Sequence, residues 1–293
     1  MEPLDLVNLN RLMERTSGRG EIKLALIDGP VAMDHPDLAR QNIQEIPGKG
    51  GGTCSRAGSI ACTHGTFVAG MLFAKRGSGA QAICPGCTLL VRPIFAETAS
   101  KNGDMPSAEP EELASAIVET VNAGARLINL SAALAQSGGA RELKEALDFA
   151  AKRGVLIVVA AGNQGTVGSS LITRHPWVIP VAACDLQGKL MAESNLGSSI
   201  GTHGLMAPGN DIRSLGTTGK SQTFGGTSAA APFVTGAIAL LWSEFPGASA
   251  AQMKFTVTHA SVRKRRSVTP PLLDAWAAYG AMSAAQAGWG IVR

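Results

Sequence analysis

The sequence predicts an α/β fold in which a parallel sheet is covered by helices on both faces. Two observations carry this. Short apolar runs alternate along the chain with longer segments of helical periodicity. The apolar runs are nearly uninterrupted, as strands buried on both faces require. Composition agrees: 293 residues, 45% hydrophobic, 35 glycines and 16% charged residues suit one large, loop-rich domain.

In order, residues 1–20 carry Leu4, Val7, Leu9 and Leu12 at mixed spacing, which reads as a short helix and linker. The domain proper is assigned to residues 21–293. Glu21 to Asp28 forms the first buried strand, closed by Asp28-Gly29-Pro30. A loop from Pro47 to Thr63 leads into a helix of small residues, expected to open at His64 and run to about Lys75. Strand follows at Leu89–Phe95, helix at Pro110–Ala123 and strand at Arg126–Leu130. Helix at Arg141–Arg153 then precedes strands at Val155–Ala160 and Trp177–Ala183. The turn Gly225-Gly226-Thr227-Ser228 enters an alanine-rich helix that reaches Trp242. Pro232 is expected in its first turn, where a missing N–H costs little. Residues 261–293 are expected to pack on the domain. No internal repeat is present.

Several function classes are excluded. A net charge of +4 and 4% aromatic residues, with no basic stripe, argue against nucleic acid. No apolar run is long enough to cross a membrane. Met1-Glu2-Pro3-Leu4-Asp5 lacks the basic and apolar regions of a secretion signal, so a cytoplasmic setting is expected. The five cysteines leave alternatives open. Cys54, Cys62, Cys84 and Cys87 could form local disulfides, stay thiols, or hold one zinc. The zinc reading is strained, because the intervening helix separates the pairs by roughly 18 Å. Cys184 ends an apolar strand and reads as a small buried hydrophobe.

Ser228 stands where a loop enters a helix, among unpaired N–H groups and beside the positive end of the helix dipole. That position suits a nucleophile whose reaction develops a negative oxygen. Its base and the base's orienter are sought upstream. Asp28 ends a buried strand and needs a hydrogen-bonding partner. His64 lies among small residues that permit close packing. Asn163, just past the strand ending near Ala160, offers a neutral amide donor. The order Asp28, His64, Ser228 differs from the orders of the α/β-hydrolases and the trypsin-like enzymes. His35, His175, His203 and His259 read as structural or exposed.

Asp28-Gly29, His64-Gly65-Thr66, Ala161-Gly162-Asn163 and Gly226-Thr227-Ser228-Ala229-Ala230-Ala231-Pro232 resemble the four signatures of the subtilisin-like serine proteases. They occur in that family's order, and Leu273–Ala278 resembles its last helix. The resemblance implies a three-layer parallel-sheet fold and a serine endopeptidase without cofactor. Ser228 would attack the scissile carbonyl, His64 would carry the proton, and Asp28 would orient His64. Asn163 would hold the oxyanion together with the Ser228 N–H. In one family member, removing such an asparagine costs about 10²–10³ in turnover. Ser131, Ala132, Ala133, Ala161, Gly162 and Thr227 would contact substrate.

The chain also departs from that pattern. About twenty residues precede the first strand, so the family's folding pro-domain is not expected. The loop Lys75–Gln81 has no carboxylate, so the family's calcium site there is expected to be missing, and no metal is expected elsewhere. Asn129-Leu130-Ser131-Ala132-Ala133-Leu134 replaces the usual Ser-Leu-Gly-Gly, and its methyl groups would narrow the cleft in which extended substrates pair as an added strand. The usual proline-containing pocket loop is absent between Gln164 and Trp177.

A narrower resemblance, in Leu26–Val31, Ala61–Thr66 and Pro85–Phe95, is to the subtilases that remove leaders during cyanobactin maturation. A precursor peptide is then the expected substrate. The alternatives are a general intracellular protease and a peptide-binding pseudoprotease. Arg263-Lys264-Arg265-Arg266 reads either as a solvated loop or as a dock for an acidic leader peptide.

Overall fold

The computed structural model describes residues 1–48, 53–56, 58–95, 97, 108–131, 139–261 and 268–289. Helices α1 (Pro3–Leu6) and α2 (Asn10–Arg15) precede strand β1 (Lys23–Asp28). Then come β2 (Ile43–Glu45), α3 (Ile60–Phe73), β3 (Thr88–Pro93), α4 (Pro110–Asn122) and β4 (Leu127–Leu130). The chain continues through α5 (Ala140–Lys152), β5 (Leu156–Ala160), α6 (Leu171–Arg174), β6 (Val178–Cys184), α7 (Ser198–His203) and β7 (Leu205–Pro208). A hairpin of β8 (Ile212–Leu215) and β9 (Ser221–Phe224) leads to α8 (Thr227–Glu244), α9 (Ala250–His259) and α10 (Ala275–Trp289).

Seven strands form one sheet in the order β2-β3-β1-β4-β5-β6-β7, and all of its pairings are parallel. Side chains alternate across it as strand geometry demands. Leu24 and Leu26 of β1 join one core with Phe67 and Met71 of α3 and Phe233 and Leu240 of α8. Ala25 and Ile27 point the other way, into a core with Leu113 and Ile117 of α4 and Leu143 and Leu147 of α5. The result is the expected helix–sheet–helix sandwich. The carboxyl ends of β1 and β4 flank the point where strand order reverses, the place where open α/β sheets put their sites.

The five strands read from sequence are present, and β2, β7 and the hairpin add to them. Strand β7 is four residues long and ends in Pro208, a residue that normally argues against a strand. It is tolerated because β7 lies at the edge of the sheet.

Two boundaries are corrected. Helix α3 opens at Ile60, not His64, because the Ser59 side chain accepts a hydrogen bond from the Cys62 N–H and caps it there. Pro232 is the sixth residue of α8, beyond the first turn, since the helix starts at Thr227.

Residues ahead of β1 enter the main core. Val7, Leu9 and Leu12 are fully buried. The Ala275 N–H donates to the Val7 carbonyl, and the Arg11 guanidinium lies 4.2 Å from the Trp276 ring centre.

Cys54 and Cys62 form a disulfide, with Cα atoms 5.6 Å apart. Cys84 and Cys87 are free and buried, and burial pushes the Cys84 thiol well up. The Cys84 N–H bonds to Leu72 at the opposite end of α3 from Cys62, so a four-thiolate centre is not assembled. Cys184 is fully buried in the core. Among the described residues, Cys54, Cys62 and Glu97 are the cluster close enough to share a metal, but the disulfide occupies both sulfurs. No helix among the described residues is long and apolar enough to cross a membrane.

Candidate active site

Strand β1 delivers Asp28 to the sheet's carboxyl edge with its side chain fully buried. One carboxylate oxygen, Oδ1, accepts from the Gly29 N–H at 2.6 Å and lies 2.7 Å from His64 Nδ1. The other, Oδ2, is buried without a hydrogen-bond partner among the described residues. A carboxylate facing Nδ1 holds the proton there and leaves Nε2 free as an acceptor. Burial pulls the His64 pKa down, but the Asp28 charge and hydrogen bond outweigh it, so the value is raised overall.

Glycines permit this approach. A Cβ on Gly65 would lie 2.4 Å from the Gly29 carbonyl oxygen, and one on Gly29 would lie 2.0 Å from that of Ala61. Helix α3 can seat His64 on Asp28 because neither backbone carries a side chain at the crossing.

Ser228 is the second residue of α8, close to the helix N-terminus and its unpaired N–H groups. Its Oγ donates to the Ser131 carbonyl at 3.4 Å, and among the described residues it makes no hydrogen bond to His64. Ser131 Oγ donates in return to the Ser228 carbonyl at 3.5 Å. That carbonyl would be the helical acceptor for residue 232, where proline has no N–H to give. Ser131 thus satisfies an oxygen that Pro232 leaves open.

Asn163 faces the start of α8. Its Oδ1 accepts from the Thr227 N–H at 2.8 Å and the Thr227 hydroxyl at 2.9 Å, which leaves the amide nitrogen as a free donor among the described residues. The Thr227 hydroxyl also accepts from the Gly162 N–H at 3.1 Å. Thr227 is fully buried, so its side chain braces Asn163 instead of lining the cleft. Gly226, at φ +89°, leaves room for the Asn163 amide.

Of the other expected substrate contacts, Ser131, Ala161 and Gly162 gather at the same sheet edge. Ala132 and Ala133 lie outside the described residues, as does the run Arg263–Arg266. His35 is buried, with Nδ1 accepting from the Asp37 N–H. His175 faces Asp148, His203 faces the Thr173 carbonyl, and His259 stacks on Phe255.

Sequence reasoning missed the polar support beneath Ser131. Buried Asn129 donates to Ser131 Oγ at 2.9 Å and accepts from Thr235 of α8 at 2.7 Å. A signal existed, because an asparagine inside the apolar run Leu127-Ile128-Asn129-Leu130 must find buried partners. Phe224, whose ring centre is 6.0 Å from that of His64, gave no such signal.

Residues 19–290 match the model of the subtilase family, which spans nearly all of the fold described above. The chain belongs to the subtilase family. Fervidolysin of Fervidobacterium pennivorans is 32% identical over 274 residues, covering 83% of this chain. The chain spans 38% of fervidolysin's own length and 63% of that of subtilisin E from Bacillus subtilis. Among solved structures, a mutant of the protease domain of PatA has a TM-score of 0.82 at 29% identity, covering 92% of this chain and 97% of that one. The prenylagaramide maturation protease PagA has a TM-score of 0.80 at 30% identity, covering 93% and 97%. Subtilases are serine proteases, and the parallel sheet between helical layers is this family's architecture.

Proposed function

We propose that this chain is a serine endopeptidase that cuts a precursor peptide. Ser228 is the nucleophile, His64 the general base and acid, Asp28 the orienting carboxylate, and Asn163 with the Ser228 N–H the oxyanion site. The observation that carries the chemistry is the buried contact of 2.7 Å between Asp28 and His64, set at the same sheet edge as Ser228. A carboxylate there stabilises the imidazolium formed when His64 takes the hydroxyl proton. The resting hydroxyl must swing from Ser131 to His64, as catalytic hydrogen bonds often tighten on binding substrate.

The substrate class is supported by the two maturation proteases, PatA and PagA, at 27–30% identity over more than nine-tenths of this chain. An acidic leader is the partner that the basic run Arg263–Arg266 would suit.

A fluorophosphonate probe should label the wild type and leave Ser228→Ala unlabelled, with hydrolysis lost by at least about 10⁴-fold. Folded wild type that resists the probe would make this a peptide-binding pseudoprotease. Digestion of casein as readily as of a leader-bearing precursor would replace the processing role by a degradative one.

A further inference from the structure

Asn195 binds the chain on both sides of Asn163 without touching Asn163 itself. Its Nδ2 donates to the Ala161 carbonyl at 3.2 Å and to Gln164 Oε1 at 2.7 Å. Its Oδ1 accepts from the Gln164 N–H at 3.0 Å, the Thr166 N–H at 3.1 Å and the Thr166 hydroxyl at 3.0 Å. Its own N–H donates to the Gly162 carbonyl at 2.9 Å. Because backbone groups of fixed polarity meet both ends of the amide, its orientation is determined.

The neighbouring chain reinforces the grip. The Gly165 N–H bonds to the Glu193 carbonyl and the Leu196 N–H to the Thr166 carbonyl. Gly162, at φ +104°, has no room for a side chain, since a Cβ would lie 2.3 Å from Asn195 Nδ2. Such a backbone conformation is held by its surroundings and not by local preference. Meanwhile Thr227 fixes the Asn163 side chain through Oδ1. The amide nitrogen's place is then set by where the backbone of 161–166 sits.

We infer that Asn195 is a positioning residue that places the Asn163 amide for oxyanion binding by clamping the loop around it. The inference rests on the reading of Asn163 as the oxyanion donor. An oxyanion donor works by being in place before charge develops, and a misplacement near 1 Å costs about 10²-fold.

The test is a double-mutant cycle on the full chain, read as the rate of Ser228 labelling by a fluorophosphonate, whose phosphoryl oxygen takes the oxyanion position. Asn195→Ala should slow labelling about tenfold to a hundredfold while Asn163 is present. In an Asn163→Ala background the same change should cost less than about threefold, because the group it positions is gone. Equal losses in the two backgrounds would make Asn195 a general structural support and overturn the inference. If Asn195→Ala fails to fold, Asn195→Ser, which keeps a short acceptor for the loop, carries the same comparison. No labelling of folded wild type would sink the serine-protease reading itself, and the role of Asn195 with it. That outcome is distinct from equal losses.

Discussion

In the proposed mechanism neutral His64 takes the proton from Ser228, so its titration would set the lower edge of the activity profile. Asp28 raises that pKa against the pull of burial. Plotted against pH, kcat/KM should therefore rise with a midpoint above the ordinary histidine value of about 6.5. Asp28→Asn should lower that midpoint and strongly reduce activity, and an unchanged midpoint would separate Asp28 from His64 electrostatically. The charged form also stabilises the folded chain. That contribution is full below the unfolded pKa and is lost as pH rises through the folded one. Residues with distinctive neighbours were readable from sequence. Asp28, His64, Asn163 and Ser228 each sit beside a glycine or within a glycine-led turn, and all but His64, which lies inside α3, are at or just past an element boundary. Asn195 was not readable. It lies in the plain run Glu193-Ser194-Asn195, and its partners are brought to it by folding, 29 to 34 residues away in sequence.

Helix α3 shows what local reasoning can and cannot place. Its glycines and alanines mark it as tightly packed, yet they do not place its start, which lies four residues ahead of His64. The deciding group is Ser59, whose oxygen accepts from the third residue after it. Removing that cap in Ser59→Ala should cost about 1 kcal/mol in chemical denaturation. A loss below about 0.3 kcal/mol would show that tertiary packing alone holds the helix start. Helix α8 posed the reverse problem. Pro232 was legible as a helix residue, but the oxygen it leaves unpaired became meaningful only when β4 brought Ser131 against it. Short strands such as β2 and β7 were illegible for a simpler reason. Three or four residues carry too little periodicity to stand apart from loop.

Over the whole molecule, sequence pattern was enough for a parallel sheet between two helical layers, because buried strands and amphipathic helices each declare their environment. It could not supply the strand order, which depends on how each crossover packs. Nor did it show that the segment before β1 joins the core. Leu12 is fully buried there, so Leu12→Ala should destabilise the chain by about 2–5 kcal/mol. An unchanged melting temperature would mean that α2 packs without contributing to stability.

The Cys54–Cys62 bond ties the loop before α3 to a helix residue two positions from His64. Closing this loop, with a sequence separation of 8, removes roughly 2.5 kcal/mol of unfolded-chain entropy. Such bonds persist in oxidising surroundings and are opened by the thiol pool of a reducing cytosol. Opening the bond would leave the loop before α3 held to that helix, apart from the backbone itself, by noncovalent contacts alone. Where dithiothreitol opens the bond, rates measured with and without it belong to different covalent species.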